Sequence, residues 1–470
     1  MIGPLQENAR MLASLIGVDE DEAAERLDCT VLMTVATDAV SQTWAAEIQA
    51  LLERTVNVVL KPNSDACAVE LIVGQTAPRT SATRVYAAID AERAVIDLAP
   101  TRRDENAPHP LFGAIAASPA AAAVLFKAID AQGLPVVRFP VTIRFDQLGL
   151  STEALRARID VDGAVLVGAG AVGNAFLRAL RLVDAHGKLP IVDPKIVGGG
   201  NPNRCLYLTA DDVKANKAEA LARNAQPDFP NVELLPFVGE FGKYVELNGV
   251  QRTAIVTVDS RRVRRSIQSE VPGRVLDAST TDIRSVVVHS HQQPTVDACL
   301  ACIYRHVPDE NARERAIADG LGIELDMVKE SLISAAAAAK ICAVHPKILA
   351  SKIEGMAYDS LFKQLCAEKA LKTPEGRQVL APFAFVSSLA GALLVVEMLR
   401  SDAGAAQTNY WQVDPWGEPR GRLRVRRPRV PDCEFCSKPY ALSIVNELWG
   451  KKPSMEKMSP VSAHETDLAS

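Results

Sequence analysis

Along the first 150 residues, the hydrophobic positions follow two patterns, one typical of strands and one typical of helices. Short apolar runs, among them TVLMTV and CAVELIVG, predict strands because β-branched residues bounded by turn residues favour extended structure. Between them, stretches such as TWAAEIQALLERT and PAAAAVLFKAIDA place apolar residues at the spacing of a helix face. Residues 1–150 are therefore predicted to form an N-terminal α/β domain.

From about residue 160 to 300 the alternation of strand and helix becomes regular. Apolar runs that include GAVLVGAG, KLPIVDP and TAIVTVD alternate with helical segments, two of which are predicted over about 211–225 and from about 261. Strands and helices in this order specify a parallel sheet covered by helices. The predicted fold class is α/β, with a Rossmann-like domain whose sheet is mainly parallel.

Residues 303–380 interrupt this order. They are rich in Ala, Lys and Glu and are predicted to be almost wholly helical, after which an apolar helix (381–400) and two short strands resume the sheet domain. We therefore divide the chain into four segments, which are an N-terminal α/β domain (1–150), a sheet domain (151–302 and 381–450), a helical insertion (303–380) and a polar tail (451–470) expected to be flexible or bound to a partner.

Composition narrows the classes of function. The net charge is −5 from 52 basic and 57 acidic residues, so no global basic surface attracts nucleic acid, and we interpret the local cluster RLRVRRPR as a solvated strand edge. No basic N-terminal region precedes a continuous apolar segment, so we expect a soluble cytoplasmic protein that does not act at a membrane. The nine cysteines favour free thiols and metal ligands over a disulfide framework.

The stretch VLVGAGAVGNAFLRAL (165–180) runs from an apolar strand through a glycine turn into a helix. A helix N-terminus has free N–H groups and a positive dipole end, so Gly168, Gly170 and Gly173 could bring a phosphate onto backbone donors. Asp193 ends the next apolar run, 193 − 173 = 20 residues later, where an acidic side chain commonly binds ribose hydroxyls. These residues fit NAD as well as ATP, and a tight packing turn without a ligand is the structural alternative.

Two CxxC pairs give the strongest spacing signal. Cys299 and Cys302 form the first pair, and Cys433 and Cys436 form the second. Each pair lets two thiolates point at one ion, so together they predict a closed tetrahedral zinc site, which stabilises the fold and has no open position for catalysis. Two unrelated knuckles or redox dithiols are the alternatives.

The loop and helix after Asp193 carry a set of polar groups that hydride transfer does not require. Asn201 and Arg204 lie on the loop, Lys217 lies on the following helix, and Asp259 ends a later strand. Arg204 could grip an outer phosphate bidentately, Lys217 could neutralise phosphate charge, and Asp259 could hold magnesium. Taken singly, these residues are better explained as a capping Asn, a surface Arg, a solvated Lys and an N-cap Asp, but together they favour ATP.

The series GAGAVG, VDPKIVGGGNPNR, DDVKANKAEA, VTVDSRRVR and paired CxxC resembles the adenylating superfamily of ubiquitin-activating enzymes, which has relatives in thiamine and molybdenum-cofactor biosynthesis. The match covers about 160–300 and 380–437. The resemblance implies that the three glycines line the ATP loop, that Asp193 binds ribose, that Asn201, Arg204 and Lys217 contact phosphates, and that Asp259 positions magnesium. Cys205 stands where the family has Gln and Ser260 where it has Asn, which weakens individual contacts.

The resemblance also implies a reaction. The C-terminal carboxylate of a small ubiquitin-like β-grasp protein attacks the α-phosphate of ATP, which gives an acyl-adenylate and pyrophosphate, and a cysteine then takes the acyl group as a thioester. Cys366 has the placement of that cysteine, with Lys363 and Lys369 nearby to favour a thiolate. Cys342, with His345 three residues on, is the second candidate, and the remaining alternative is that both are buried small hydrophobes.

An N-terminal α/β domain and a large helical insertion together resemble the activating enzymes of bacterial ubiquitin-like conjugation operons, including the Bil-type antiviral systems. This implies that the N-terminal domain is an inactive relative of the adenylation domain and that a ubiquitin-conjugating-enzyme-like protein is a partner. Either a homodimer or the chain's own N-terminal domain would complete the site. A sulfur-carrier adenylyltransferase of the thiamine or molybdopterin type and a non-catalytic nucleotide-binding scaffold remain as alternatives.

Overall fold

The computed structural model describes residues 4–61, 67–280, 283–305, 310–328, 333–354, 358, 361, 362, 365, 383–404 and 408–450. Within these residues the N-terminal unit (4–148) contains a sheet of six strands. Its strands are β1 (Thr30–Val35), β2 (Asn57–Val59), β3 (Val69–Val73), β4 (Thr83–Ile89), β5 (Arg93–Asp97) and β6 (Val141–Arg144). Its helices are α1 (Pro4–Ile16), α2 (Glu20–Leu27), α3 (Ala39–Leu52) and α4 (Pro110–Ile129).

The C-terminal unit (151–450) contains a second sheet, of nine strands in the described part of the chain. Its strands are β7 (Ile159–Asp160), β8 (Ala164–Val167), β9 (Ala185–Val192), β10 (Val232–Phe237), β11 (Thr253–Val256), β12 (Arg274–Thr280), β13 (Val286–Gln292), β14 (Tyr410–Val413) and β15 (Arg424–Val425). Its helices outside the insertion are α5 (Thr152–Arg156), α6 (Ala171–Leu180), α7 (Lys217–Ala225), α8 (Phe241–Asn248), α9 (Arg261–Ser269), α10 (Leu300–Ile303), α15 (Ala384–Asp402) and α16 (Pro439–Trp449).

Both sheets follow one plan. In the first, the order is β2-β1-β3-β4-β5-β6, with the first four strands parallel and the last two antiparallel. In the second, the order is β10-β9-β8-β11-β12-β13-β14-β15, and antiparallel pairing begins between β12 and β13. The α/β fold class with a mainly parallel sheet is therefore confirmed.

The same plan extends to the helices. A helix follows the first central strand of each sheet, α3 after β1 and α6 after β8. A long apolar helix also links the antiparallel strands, α4 between β5 and β6, and α15 between β13 and β14. The two units therefore present matching elements around their sheets.

The long helices α4 and α15 pack against each other and join the cores of the two units into one apolar cluster. By length and composition both could cross a membrane, but 78% and 83% of their apolar windows are buried inside the protein. Gly391 lets α15 touch α6, because a Cβ there would lie 2.4 Å from the α6 backbone. Burial in this shared core explains their apolar sequences.

The helical insertion has a core of its own. Its described helices are α11 (Glu310–Leu321), α12 (Leu325–Val328), α13 (Ala335–Val344) and α14 (Ala350–Ile353). They enclose a separate apolar cluster that includes Leu321, Ile341 and Leu365. This segment can therefore pack internally without contributing to either sheet.

Two elements differ from the sequence expectation. The helix predicted over about 211–225 begins at Lys217, because the side chain of Asn216 accepts hydrogen bonds from the N–H groups of Ala218 and Glu219 and caps the helix there. The strand β4 was not anticipated, since the polar turn residues before it conceal its short apolar run. Its backbone hydrogen bonds to the parallel strand β3 stabilise it as a strand, although its local sequence pattern does not predict one.

Candidate nucleotide site and cysteine cluster

The three glycines of the turn between β8 and α6 have three different surroundings. Gly168 has φ +105°, a left-handed conformation, and a Cβ there would also lie 3.0 Å from the backbone of Thr257. A Cβ on Gly173 would lie 2.2 Å from the carbonyl oxygen of Gly168, so this glycine allows close packing of helix on turn. A Cβ on Gly170 would meet nothing within 4 Å, so this glycine faces open space where a ligand can approach.

Two buried side chains hold this turn rigid. Asn174 donates to the carbonyl oxygens of Ala169 and Gly170, and Thr257 donates to the carbonyl oxygen of Gly168 at 2.6 Å. No side chain caps α6 at Gly170, so its first N–H groups remain for an anion. Sequence reasoning missed both residues, although a polar residue directly after Gly173, on a helix that is otherwise apolar at this end, was an available signal for Asn174.

Asp193 lies at the end of β9, buried against the glycine turn. One carboxylate oxygen accepts from the N–H of Ala169 and the other from the N–H of Lys195, both at 2.8 Å. A carboxylate has about four lone-pair sites, so acceptor capacity remains on both oxygens. The arrangement can hold the turn and accept ribose hydroxyls at the same time.

The loop after β9 brings Arg204 to the same edge of the sheet. Arg204 donates from Nη1 to the side-chain oxygen of Asn203 at 2.7 Å, and the same nitrogen lies 3.9 Å from a carboxylate oxygen of Glu7 on α1. The side-chain oxygen of Asn201 accepts from the N–H of Gly198 at 2.9 Å, so that oxygen caps its own loop. Arg204 is therefore held by acceptors that a phosphate could supplement or replace.

Lys217 opens α7 beside this loop. Burial raises the pKa of the Cys205 thiol, and the positive charges of Arg204 and Lys217 partly offset that rise, which places both cations around one buried group. Asn216, which caps α7, also donates to the carbonyl oxygen of Asp193 at 3.3 Å. The start of α7 is thus fixed to the residue expected to bind ribose.

Asp259 is exposed beyond the end of β11, and a carboxylate oxygen lies 3.3 Å from Nζ of Lys195. Lys195 is a cation that sequence reasoning did not single out. Because its own N–H binds Asp193, it links the proposed magnesium residue to the proposed ribose residue. The structure therefore gathers the expected nucleotide residues at one sheet edge, while their individual roles stay predictions.

The four cysteines of the CxxC pairs form one cluster, with all four Sγ atoms within 4.8 Å of one another. The Sγ distances are 3.7 Å for Cys299 to Cys302, 3.7 Å for Cys299 to Cys433 and 3.4 Å for Cys302 to Cys436. A tetrahedral zinc ion with Zn–S bonds of about 2.3 Å needs Sγ separations of about 3.8 Å. The donor set and its spacing are compatible with zinc.

Hydrogen bonds among the four thiols lower the pKa of Cys302 and Cys433 and raise the pKa of Cys299 and Cys436, so two of the four favour the thiolate. A hydrogen bond from the Cys299 thiol is the main cause that lowers the pKa of Cys302 to about 7. The N–H of Val430 also points to Sγ of Cys302 at 3.4 Å. A bound ion would join the start of α10 to the segment before α16, which lie on either side of the insertion.

The proposed acyl-accepting residue, Cys366, lies outside the described residues, as do Lys363 and Lys369. Cys342 is half-buried on α13 and packs against the apolar cluster of the insertion. Nε2 of His345 lies 2.9 Å from the carbonyl oxygen of Gly320, so it carries a proton when this hydrogen bond forms. Which cysteine accepts an acyl group stays a prediction.

Comparisons with known proteins match this chain to two family models and to one curated relative. The model of the ThiF family matches residues 146–435, and the model of the E1 N-terminal domain matches residues 1–151. The uncharacterized protein y4jF of Sinorhizobium fredii is 24% identical over 465 residues, which is 92% of this chain and 87% of that protein.

Similar solved structures have low identity. E. coli MccB with MccA-N7isoASN is 14% identical, with a TM-score of 0.37, over 75% of this chain and 98% of that chain. PaaA is 16% identical, with a TM-score of 0.33, over 56% of this chain and 71% of that chain.

Proposed function

Because the chain belongs to the ThiF family of adenylating enzymes, we propose that it activates the C-terminal carboxylate of a ubiquitin-like β-grasp protein. The carboxylate attacks the α-phosphate of ATP, the bond from the α-phosphorus to the bridging oxygen breaks, and pyrophosphate leaves. The acyl-adenylate then passes its acyl group to a cysteine, which forms a thioester and releases AMP. A carboxylate nucleophile needs no general base, so the site has to position the reactants and stabilise phosphate charge.

One observation carries the proposal: an uncapped helix N-terminus opens onto Gly170, directly beside the buried carboxylate of Asp193. Ribose on Asp193 would bring the α-phosphate towards the N–H groups of α6. Arg204 and Lys217 would then lie on the side of the departing pyrophosphate. Such a set of cations serves phosphoryl chemistry, whereas hydride transfer does not require it.

Asp259 and the cysteine cluster are proposed to hold different ions. Asp259 is exposed and has carboxylate oxygens, the ligand type that Mg²⁺ prefers, and magnesium on the phosphates would neutralise charge as pyrophosphate leaves. Cys299, Cys302, Cys433 and Cys436 would hold structural zinc, because four thiolates leave no open coordination position.

The match of residues 1–151 to an E1 N-terminal domain supports a ubiquitin-like protein as substrate, as does an insertion large enough to carry an acceptor cysteine. We propose Cys366 as that acceptor and Cys342 as the alternative. Transfer to a ubiquitin-conjugating-enzyme-like protein would follow, in a cytoplasmic conjugation system of the bacterial Bil antiviral type. The described cysteines form no disulfide, which fits a reducing compartment.

The test is an intact-mass measurement, without reductant, of the purified chain incubated with Mg-ATP and a candidate ubiquitin-like β-grasp protein. We expect an adduct of the carrier's mass less water in the wild type and none in Cys366→Ala. An adduct that survives in Cys366→Ala but not in Cys342→Ala moves the thioester to Cys342. Pyrophosphate release without any adduct indicates the sulfur-carrier reaction instead. If neither an adduct nor pyrophosphate forms, the proposed adenylation is overturned.

The phosphate site has a test of its own. Lys217→Ala should abolish ATP-dependent pyrophosphate release, with Lys214→Ala, three residues earlier and exposed, as the matched control. Unchanged pyrophosphate release in Lys217→Ala would contradict the assigned phosphate contact.

A further inference from the structure

The N-terminal unit grips the loop that carries Arg204. We call residues 198–208 the phosphate loop. Arg54, which follows α3, donates from Nη2 to the carbonyl oxygen of Leu206 at 2.9 Å and from Nη1 to those of Pro202 and Leu208. One guanidinium from the first sheet unit thus binds three backbone carbonyls of a loop that belongs to the second.

A second connection runs through buried amides. Asn8 on α1 donates to the backbone carbonyl of Arg54 at 2.7 Å and accepts from the side-chain amide of Asn203 at 2.9 Å. The oxygen of Asn203 in turn accepts from Arg204 at 2.7 Å. The backbone carbonyl of Arg54 fixes which end of the Asn8 amide is the donor, and Asn8 in turn fixes the amide of Asn203. The orientation of Arg204 therefore depends on Asn8 and Arg54.

The geometry of this relay is costly to change, because Asn8 and Asn203 are almost completely buried. A buried amide that loses its partner has no water to replace it. The planar guanidinium of Arg54 can hold several carbonyls at once, which an ammonium cannot do with the same geometry. The loop is therefore fixed in its middle and at its end by the N-terminal unit.

We propose that Arg54 and Asn8 are positioning residues of the nucleotide site, which hold the phosphate loop so that Arg204 faces the outer phosphates of ATP. This rests on the proposed function. It makes the N-terminal unit part of the adenylation site in the same chain, acting through the shape of the loop. Neither residue needs to touch the nucleotide.

A role that only holds the two units together can be separated from this one, because the same interface has another ionic contact that involves neither Arg54, Asn8 nor Arg204. Glu47 on α3 pairs with Arg178 at 3.0 Å and Arg181 at 2.5 Å, at the far end of α6. Glu47→Ala removes a charged contact between the two units without touching the phosphate loop. It is the matched control for a loosened interface.

The experiment compares binding of Mg-ATP and of AMP to the full chain by calorimetry, with melting temperature as the check on folding. AMP reports on the glycine turn and Asp193, whereas only ATP carries the outer phosphates that Arg204 would bind. We expect Arg54→Ala and Asn8→Ala to lower the affinity for ATP by about tenfold or more and the affinity for AMP by less than about twofold. Arg54→Lys should restore part of the ATP affinity, and Glu47→Ala should change neither.

The double variant Arg54→Ala, Arg204→Ala gives the sharpest result. If Arg54 acts through Arg204, the double variant binds ATP about as weakly as Arg204→Ala alone, whereas independent roles give additive losses. Equal losses of ATP and AMP affinity, or the same losses in Glu47→Ala, would overturn the inference. If the wild type binds no ATP, the proposed function itself fails, whereas loss in Arg204→Ala but not in Arg54→Ala or Asn8→Ala defeats the positioning role alone.

Discussion

The two sheet units repeat one strand plan but end their first central strand differently. After β1, Asp38 caps α3, because its carboxylate accepts from the N–H of Ser41 at 2.9 Å and pairs with Arg103 at 2.8 Å. After β8, the corresponding cap of α6 is Gly170, which has no side chain. A helix N-terminus attracts an anion. In the first unit that anion is the carboxylate of Asp38, whereas in the second unit no side chain caps the N-terminus of α6.

The strand beside each turn shows the same contrast. In the second unit, β9 is followed by Asp193, a buried acceptor. In the first, β2 is followed by Leu60, whose side chain is half exposed and apolar. The two units thus differ at the positions where a ribose and a phosphate would have to be recognised.

This comparison shows that, on one strand plan, a single side chain separates a helix N-terminus capped by its own chain from one that is open to an anion. The first unit has the same strand plan without the open helix N-terminus. Through Arg54 and Asn8 it extends polar contacts to the site of the other unit. The first unit therefore differs from the second in two ways: its own Asp38 caps α3, and its Arg54 and Asn8 contact the phosphate loop of the second unit.

The largest effect should come from giving the second unit the cap of the first. Gly170→Asp places a carboxylate on the N-terminus of α6, where it takes the free N–H groups and repels phosphate. We expect ATP affinity to fall at least about 100-fold in calorimetry, with no loss of melting temperature.

Gly170→Ala is the matched control, because a Cβ there meets no atom within 4 Å and adds neither charge nor a cap. Equal ATP affinity in the Asp and Ala variants would contradict the role of the open helix terminus.

The acceptor that distinguishes β9 from β2 should have the next largest effect. In Asp193→Asn, an NH₂ group must face the N–H of Ala169 or of Lys195, so one hydrogen bond becomes a repulsion. We expect affinity for ATP and AMP to fall alike, by about tenfold or more, because both nucleotides carry ribose. Leu60→Asp, the reverse change in the first unit, should leave both affinities unchanged, and a loss confined to ATP would argue against ribose binding.

The cysteine cluster belongs to the second unit and should affect stability more than nucleotide binding. Cys436→Ser should lose zinc in elemental analysis and lower the melting temperature by more than about 5 °C, because structural metal binding contributes directly to folding. Cys29→Ser, at a half-buried cysteine away from the cluster, should keep the metal. A full complement of zinc in Cys436→Ser would show that the ion is held elsewhere.

The smallest effect is expected at the cap of the first unit. Asp38→Ala should destabilise the chain by about 1 kcal/mol and leave ATP affinity unchanged, because Asp38 caps α3 and pairs with Arg103 within the first unit. Partial burial opposes ionisation of Asp38, but hydrogen bonds from Ser41 and the charge of Arg103 outweigh it and lower its pKa.

This lowered pKa sets the direction of the pH dependence. The carboxylate stabilises the folded chain above the pKa of an unfolded aspartate, and the contribution is lost as pH falls through the folded value. The stability difference between wild type and Asp38→Ala in denaturant titrations should therefore be present at pH 7 and shrink in acid. A difference that grows on acidification would contradict the assignment.

Local patterns could predict much of this molecule. The turn from β8 to α6 has its strand, glycines and helix within 16 residues, and each CxxC pair spans four, so both signals are readable in one window. The pairing of the two CxxC motifs was also predictable, because four thiols fit one ion. The turn and each CxxC pair could be predicted because the residues that form each of them are close together in the sequence.

The remaining features depend on contacts between distant residues. Asn8 and Asn203 are 195 positions apart, and a buried amide carries no periodic signal that distinguishes it from a surface one. The same holds for Arg54, whose three carbonyl partners are backbone atoms of a loop with no side-chain signature. The bracing of the site by the N-terminal unit could therefore be recognised only once both units were seen together.

The packing of α4 against α15 has a consequence for how the protein is made. On the ribosome, α4 is complete 384 − 129 = 255 residues before α15 begins. At about 5–20 residues per second, an apolar helix surface meant for α15 waits roughly 13–50 s for its partner. We expect the nascent chain to need a holding chaperone during this interval, and products that terminate early to be recognised by cellular quality control through that uncovered surface.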